Sequence, residues 1–430
     1  MAGDLLGRSD VLIIGSGIVG CATAYYLARS GRSVRVLERG KIAGEQSSRA
    51  WGFVRQQGRH PAEVPLAAEA SRIWERLAGE LQADLEFVRR GIVVPAETID
   101  DEQRFAEAAG VARKHGLGTR MISSSELKQL MPELAGNWRC ALYTAEDGHA
   151  EPRKATEAFA TAGERLGVTF HSNTPAISID VRNRAAVGAV TAWGRYEADA
   201  IFCAGGTGSA PLLRTVGTSL PIQMVRSSVA QTKQARHFTS VAMWGPYVSF
   251  RPKEDGSFYI GNGYRGVGAD YEITIESVRH LRLFLPAYRR NWRLLKLAMG
   301  QHFFIDLHRQ ISRRARFDAP MEPKPNLDKI HHNERRFYEL FPAIAGLGLA
   351  RTWAGWIDLT PDLIPIVGRV NEVEGLYVAA GFSGHGFALG PAIGKLIAQV
   401  IVDGRSSIDL SDFRVSRFVE GEYTLPSGVL

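Results

Sequence analysis

Two spacings of apolar residues alternate along the chain: short unbroken apolar runs, and longer stretches with the periodicity of an α-helix. Residues 10–14 form the first run, residues 21–29 follow with helical spacing, and residues 33–37 form a second run. Short apolar runs bounded by turn residues are typical of strands buried on both faces of a parallel sheet. The opening of the chain therefore predicts a βαβ unit.

The same two patterns continue to the end of the chain. Helical spacing covers residues 62–85 and 152–166, and an apolar helix is predicted over 394–402. Strands are predicted at 168–171, 176–181, 185–192, 198–203, on both arms of a hairpin over 247–263, and at 375–381. The hairpin turns at Asp255 and Gly256, and Asp-Gly in such a place is a strong turn signal.

Strands that resemble the opening one, each ending in glycine, recur near the middle and the end of the chain. They predict an α/β fold, in part α+β, in which a Rossmann-type dinucleotide-binding domain is discontinuous. We predict that this domain comprises residues 1–85, 150–225 and 340–430. Residues 86–149 and 226–339 then form a second, mixed-sheet domain for the substrate, with a basic helical insertion at about 275–335.

The glycine loop after the first strand carries the first functional signal. Gly15 permits a tight turn, Gly17 allows the backbone to approach a pyrophosphate, and Gly20 lets the helix pack on the strand. Glu38 ends the second strand, where a carboxylate accepts hydrogen bonds from ribose hydroxyls and disfavours the 2′-phosphate of NADP. This loop does not distinguish FAD from NAD. The predicted dinucleotide contacts are Gly15, Gly17, Ile18, Val19, Gly20, Glu38 and Arg39.

The number of cysteines and the lengths of the apolar runs indicate the compartment in which the protein works. The three cysteines, Cys21, Cys140 and Cys203, lie far apart and show no metal or redox spacing. A sparse, odd number fits a reducing compartment. The N-terminal apolar run is too short for a signal peptide, and no stretch has the roughly twenty apolar residues that cross a bilayer. We therefore expect a cytoplasmic protein without a transmembrane segment or a metal site.

The net charge of +7 is concentrated in one segment. Between Arg279 and Arg336 there are fourteen Lys and Arg residues against five Asp and Glu residues, and five of the eleven histidines. Val278, Leu281, Leu285, Tyr288, Trp292, Leu295 and Met299 form an amphipathic stripe, which Pro286 should kink or interrupt. We interpret this segment as a helical subdomain over the active site with solvated arginines. A membrane-surface contact, an oligomer or redox-partner contact, and a nucleic-acid face remain alternatives.

The run at residues 381–394 resembles the last FAD-contacting motif of the D-amino-acid oxidase, glycine oxidase and sarcosine oxidase family. Segments at 47–49, 147–152, 204–209 and 351–368 resemble further motifs of that family in the same order. The resemblance covers residues 10–265 and 337–400. It implies that FAD is the cofactor, with a helix N-terminus near the flavin ring. The further FAD contacts it implies are Ser47, Ser48, Arg49, Trp51, Gly52, Ala204, Gly205, Gly206, Gly381, Ser383, Gly384, His385, Gly386, Phe387 and Ala388.

The resemblance also implies a reaction. Enzymes of this family oxidise a C–N bond of an amino acid or an N-substituted amino acid by hydride transfer to flavin N5, and the imine then hydrolyses. No cysteine stands near Gly355, where sarcosine oxidases attach the flavin, so we expect FAD to be bound non-covalently. Ile357 and Ala388 replace the substrate-binding arginine of glycine oxidase and the lysine of sarcosine oxidases. Arg55, in the segment after Ser48, is therefore the predicted carboxylate anchor.

Four further residues are candidates for contact with the substrate. His385 is expected beside the flavin, and Asp358 could meet a cationic substrate group. Tyr247 and Tyr264, on strands expected to roof the ring, could donate hydrogen bonds. Without a lysine near Tyr259, oxygen and a redox partner both remain possible electron acceptors. Two other functions stay open: FAD-dependent oxidation of a 2-hydroxy acid, and a flavoprotein acting on modified tRNA or another macromolecular partner.

Overall fold

The computed structural model describes residues 4–273, 275–297 and 322–424. The helices, labelled in chain order, are α1 Ile18–Arg29, α2 Gln46–Arg49, α3 Val64–Leu81, α4 Ile99–Lys114, α5 Ser124–Leu130, α6 Pro152–Arg165, α7 Ser209–Arg214, α8 Ile275–Arg279, α9 Leu281–Arg290, α10 Leu327–Leu340, α11 Gly386–Asp403 and α12 Arg417–Glu420.

The strands likewise follow chain order. They are β1 Leu5–Ile14, β2 Val34–Leu37, β3 Phe53–Val54, β4 Ile92–Ala96, β5 Arg120–Ser123, β6 Cys140–Thr144, β7 Gly148–His149, β8 Thr169–His171, β9 Ala176–Arg182, β10 Ala185–Thr191, β11 Arg195–Cys203, β12 Gln223–Thr232, β13 Ala242–Trp244, β14 Val248–Pro252, β15 Phe258–Asn262, β16 Asp270–Ile273, β17 Leu295–Leu297, β18 Leu349–Leu359, β19 Ile366–Arg369 and β20 Leu376–Ala380.

The first sheet is the predicted Rossmann-type sheet, in the order β19-β20-β11-β1-β2-β8, with β10 and β9 joined to β11. Strands β8, β2, β1, β11 and β20 are parallel to one another, whereas β19 and β10 run antiparallel to β20 and β11. Ile14 pairs with both Leu37 and Cys203, and Cys203 pairs with Val378. Because these strands end level with one another, the loops that follow them meet at one edge of the sheet. The α/β fold predicted from the sequence is confirmed.

Two helices that begin at this edge pack closely on each other. Gly394 of α11 faces α1, where an added Cβ would lie 2.6 Å from the Ala22 Cβ and 2.8 Å from the Thr23 nitrogen. A Cβ on Gly390 would lie 2.8 Å from the Ile18 side chain. The glycines in the C-terminal run therefore allow the two helices to lie side by side, with both N-termini at the cofactor edge.

The second sheet holds ten strands in the order β17-β16-β12-β15-β14-β13-β4-β6-β5, with β18 on the other side of β12. Strand β18 pairs with β12 from Gln223 opposite Leu359 to Thr232 opposite Leu349. The sequence placed residues 349–359 with the nucleotide domain, whereas their backbone partners lie in the second sheet. A cluster of buried phenylalanines, including Phe250, Phe258 and Phe337, packs α10 against this sheet.

The basic insertion begins with two short helices. Helix α9 continues through Pro286, and the break that the sequence assigned to this proline lies at His280 instead. Pro286 is exposed on the outer side of α9, away from the sheet. Phe284, beside the predicted stripe, and Tyr288, within it, are buried, whereas other members of the stripe are exposed. Met299 lies outside the described residues.

One helix of the described residues, α11, is long and apolar enough to span a membrane by length and composition. Of its 18 residues, 67% are buried inside the protein. Its neighbours are α1 and α3 in the first domain, as expected for a core helix.

Candidate active site

A long cleft follows the edge where the parallel strands end and continues towards the second sheet. Residues from the predicted cofactor loops line it, together with residues of β18 and α2. Among the predicted cofactor residues, the cleft is lined by Gly15, Gly17, Ile18, Val19, Glu38, Arg39, Ser47, Arg49, Trp51, Gly52, Ala204, Gly205, Gly206, Ser383, Gly384, His385, Gly386 and Phe387.

The glycine loop approaches its neighbours too closely for side chains. Gly15 has φ +106°, and an added Cβ would lie 2.4 Å from the Ala204 carbonyl oxygen. Gly20 does not line the cleft, but a Cβ there would lie 2.0 Å from the Gly15 carbonyl oxygen. Gly20 therefore keeps the start of α1 close to the strand, as the sequence indicated, and Gly15 closes the turn.

Glu38 is held in place by the glycine loop itself. Its Oε2 accepts hydrogen bonds of 2.9 Å from the Ser16 backbone nitrogen and from the Ser16 Oγ, and its Oε1 accepts one of 2.7 Å from the Gly40 nitrogen. Arg39, the next residue, forms an ion pair with Glu45. The carboxylate is thus fixed at the cleft with lone pairs left for ribose hydroxyls.

Two helix N-termini face the cleft. In the described structure no side-chain hydrogen bond caps α1 at Gly17 or α11 at His385. One first-turn donor of α1 is used inside the protein, since the Ile18 nitrogen donates to the Ser47 Oγ at 2.8 Å. The remaining backbone N–H groups and the positive ends of both helices favour anionic parts of a ligand, such as a pyrophosphate.

Asp358, which was expected to contact a cationic substrate group, forms hydrogen bonds within the protein. One carboxylate oxygen accepts a hydrogen bond of 2.9 Å from the Gln46 Nε2, and the other accepts one of 2.8 Å from the Gly381 nitrogen. Burial raises the pKa of Asp358, against these donors. These hydrogen bonds let Asp358 hold the 381–384 loop; the residue also lines the cleft, and its contact with a cationic substrate group stays a prediction.

Gln46 connects three loops around the cleft, and no local pattern in the sequence marked it. Its Nε2 donates to Asp358, and its Oε1 accepts a hydrogen bond of 3.1 Å from the Thr207 nitrogen. Thr207 Oγ1 is buried and has no hydrogen-bond partner within the described parts of the chain. The donor set and the close glycine backbone fit FAD.

Arg55, the predicted carboxylate anchor, lines the cleft. It is buried, and its guanidinium carbon stacks 3.6 Å from the centre of the Trp244 ring. Its Nη1 is buried without a hydrogen-bond partner among the residues that the structure describes. Burial and the nearby Arg59 guanidinium lower the pKa of Arg55.

Arg59 is a second buried guanidinium beside Arg55. Its Nε and Nη2 donate to the Arg55 carbonyl oxygen at 3.3 and 3.2 Å, which fixes the side chain. Its Nη1 is buried and likewise lacks a partner in the described chain. Both arginines line the cleft. An unpaired buried donor is costly, and two of them on neighbouring cations favour an anionic ligand group.

His385 is paired with a buried glutamate that the sequence did not single out. Its Nδ1 lies 2.9 Å from the Glu63 Oε1, and Glu63 is only 1% exposed. Burial and Arg59 lower the pKa of His385, whereas Glu63 opposes this. Burial alone would raise the pKa of Glu63, but His385 and Arg59 bring it below its usual value. With the imidazole neutral, its Nδ1–H donates to the Glu63 carboxylate.

Asp147 completes the charge environment of the two arginines. Its carboxylate accepts hydrogen bonds from the backbone nitrogens of Gln56, at 2.7 Å, and Gln57, at 3.4 Å. Burial raises the pKa of Asp147 to about 7, against these hydrogen bonds and the attraction of the arginines. Since Glu63 is the other nearby carboxylate, the two arginines carry an excess of positive charge only while Asp147 is protonated.

Some predicted residues lie outside the cleft. Tyr264 donates a 2.8 Å hydrogen bond to the Pro95 carbonyl oxygen, and Tyr247 lies under the Arg336 guanidinium. Both tyrosines are used by the second domain, so they are not in the position expected for substrate contact. Ser48, Gly381 and Ala388 are also absent from the cleft lining. The Ala388 carbonyl oxygen accepts a hydrogen bond from the Trp74 indole.

The site residues that the sequence did not indicate are Gln46, Arg59, Glu63, Trp244, Ser227, Gly355 and Trp356. Arg59 and Glu63 follow Arg55 at intervals of four residues. This spacing of charged residues within one segment could have indicated that the three side chains lie close together. Trp244 lies on β13, and no local pattern connects it to Arg55. Ile357 lines the cleft where glycine oxidases have an arginine. In the described residues no cluster of His, Cys, Asp and Glu could hold a metal ion.

A parallel sheet with two helix N-termini directed at one cleft defines a dinucleotide-binding protein. The family model described as FAD dependent oxidoreductase matches residues 10–400. The chain belongs to this family of FAD-dependent oxidoreductases, and FAD is its cofactor.

Individual proteins are similar over nearly the whole chain. A sarcosine oxidase subunit beta from Arthrobacter sp is 25% identical over 422 residues, covering 96% of this chain and 91% of that protein. A glycine oxidase from Geobacillus kaustophilus is 24% identical over 424 residues, covering 96% and 98%. The structure of an L-amino acid deaminase from Proteus myxofaciens in complex with anthranilate superposes with a TM-score of 0.88 at 24% identity, covering 97% and 96%.

Proposed function

We propose that the protein oxidises the C–N bond of an α-amino acid or N-substituted amino acid, and that Arg55 and Arg59 bind the substrate carboxylate. The observation that carries this proposal is the pair of buried Nη1 atoms without a protein partner in the described chain. A carboxylate has two oxygens and can accept from both guanidinium groups. The names of the similar sarcosine and glycine oxidases support an amino-acid substrate.

The amine end of the substrate would meet His385. Because Nδ1 of His385 faces Glu63, Nε2 is the ring atom left for a ligand in the cleft. A neutral imidazole accepts a proton from a substrate ammonium, and the Glu63 carboxylate stabilises the resulting positive charge. The amine must be neutral before oxidation, since its lone pair stabilises the carbon that loses hydride.

When bound, FAD supplies the two-electron acceptor for the hydride that leaves the substrate carbon. The carbon–nitrogen bond becomes an imine as the nitrogen loses its proton. Water then adds to the imine and releases ammonia or an amine together with an oxo acid. Arg55 and Arg59 hold one end of the substrate during this step and thereby fix the distance of the reacting carbon from the cofactor.

The test is anaerobic reduction of the FAD-loaded protein by a panel of compounds. The panel holds α-amino acids of both configurations, their N-methyl derivatives, and the matching 2-hydroxy acids. We expect loss of flavin absorbance with amino or N-methylamino compounds, and release of ammonia or methylamine. Reduction by hydroxy acids alone, without nitrogen release, would overturn the proposal in favour of hydroxy-acid oxidation. Readmission of air then distinguishes oxygen from another electron acceptor.

A further inference from the structure

Helices α8 and α9 expose apolar side chains beside residues that are already packed against the protein. On the inner side, Phe284 and Tyr288 are buried, and the Tyr288 hydroxyl donates to the Gln223 side chain of β12. The Ser277 side chain is buried on the same side. The position of α9 against the second sheet is therefore fixed, and Leu281 and Leu285 remain exposed at the edge of its packed face.

The outward residues include four large apolar side chains. Val278 is 58% exposed, Leu281 46%, Leu285 37% and Trp292 64%. Leu281 and Leu285 are four residues apart on α9, which places them on one side of that helix, and Val278 lies at the end of α8 before the break at His280. Apolar residues that are exposed singly need no explanation, but four on one short segment form a patch that favours contact with another apolar phase.

A basic band borders this patch. Residues 277–297 hold six Lys and Arg residues and no Asp or Glu, and the sequence has no acid until Asp306. Arg282 and Arg289 are seven residues apart and follow the apolar side, and both are exposed. The Arg293 guanidinium lies 5.2 Å from the centre of the exposed Trp292 ring. Tryptophan beside arginine is typical of the boundary between lipid and water.

We propose that this surface, residues 278–296, docks on the surface of an anionic lipid bilayer. The apolar side chains enter the boundary between headgroups and acyl chains, while the arginines face the lipid phosphates. A second copy of the chain would bring the same positive charge against this surface and be repelled. A nucleic acid would pair with the arginines but leave the leucines and the valine without an apolar partner.

The test is flotation of the FAD-loaded protein with vesicles of two compositions. We expect binding to vesicles of equal parts phosphatidylcholine and phosphatidylglycerol, weaker binding to phosphatidylcholine alone, and weakening by salt. Arg289→Gln should lower partitioning about five-fold, because one basic residue near an anionic surface contributes about 1 kcal/mol. Trp292→Ala and Leu281→Ser should each lower it about ten-fold or more.

The chain offers a matched control, because Trp193 is 69% exposed at a turn of the first domain. Trp193→Ala should bind vesicles as the native protein does, and all variants should retain FAD and anaerobic reduction by substrate. No binding to anionic vesicles, or equal losses from Trp193→Ala and Trp292→Ala, would overturn the proposal. So would a dimer in light scattering that Trp292→Ala dissociates, since a second copy would then cover the patch.

Discussion

Arg55→Met removes the buried guanidinium that we assign to the substrate carboxylate and keeps a side chain of similar length. A hydrogen bond to a charged group contributes about 1.5–3 kcal/mol. Removal of this hydrogen bond should therefore lower kcat/KM by roughly ten-fold to a hundred-and-fifty-fold. The Nη1 of Arg55 has no partner in the described chain, so the substitution acts on the hydrogen bond to the ligand and leaves no protein acceptor unpaired at that atom.

The assay is stopped-flow reduction of bound FAD with an amino acid and with the amine that lacks its carboxylate. In the native protein, the amino acid should be the better substrate by at least the factor given above. In Arg55→Met this preference should fall by that factor, because only Arg59 then binds the carboxylate, while reduction by the amine stays the same. Arg72→Met, at an exposed arginine of α3, is the matched control and should keep the preference. An unchanged preference in Arg55→Met would refute the assignment.

The same variant should not be less stable than the native protein in the absence of substrate. Arg55 is a buried cation that lies beside a second one, and burial lowers its pKa. Replacing buried charges with apolar side chains of similar volume is often neutral or stabilising. Urea denaturation of the two FAD-loaded proteins measures this, and a large loss of stability would mean that Arg55 supports the fold instead.

Three further predictions address other parts of the structure. Glu63→Gln removes the charge that raises the pKa of His385, so the acid limb of the kcat/KM profile should move to lower pH; an unmoved limb would contradict the pairing. Gly394→Ala should lower the free energy of unfolding by about 1–3 kcal/mol through overpacking, whereas Gly79→Ala, with open space around it, should raise it by about 1 kcal/mol. The raised folded-state pKa of Asp147 means that its ionisation favours the unfolded chain increasingly as pH rises to about 7. The free energy of unfolding of Asp147→Asn, measured by urea titration, should therefore rise relative to that of the native protein as pH rises to about 7. A difference between the two proteins that does not change with pH would refute the raised pKa.

Much of the first domain could be predicted from the sequence because its signals are local. The strand, glycine loop and helix at residues 10–29 are contiguous, and Glu38 follows within the same unit. The run at 381–394 could likewise be assigned to a helix N-terminus. The cofactor loops meet because parallel strands end at one edge, which follows from the topology and not from any residue-by-residue pattern.

The substrate end of the cleft depends on contacts between distant segments, and the sequence predicted less of it. Trp244 meets Arg55 only because β13 lies beside β4 in the second sheet. Asp358 was predicted to contact a cationic substrate group, and its hydrogen bonds to Gln46 and Gly381 were not predictable from any local pattern. Tyr264 was assigned from its expected strand, and a hydrogen bond to Pro95 directs its hydroxyl away. Contacts between distant segments decide where the side chains at the ends of strands point, and a single sequence does not show these contacts.

The bridge of Gln46, Asp358 and Gly381 has a consequence for biosynthesis. Gln46 emerges early from the ribosome, whereas its partner Asp358 is 312 residues further along the chain. Helix α11, whose N-terminus faces the cleft, is made later still. A growing chain therefore lacks one of the two helix N-termini at the cleft until nearly all of it has been synthesised. FAD should load after translation, and shortening the chain before residue 386 should abolish retention of the cofactor.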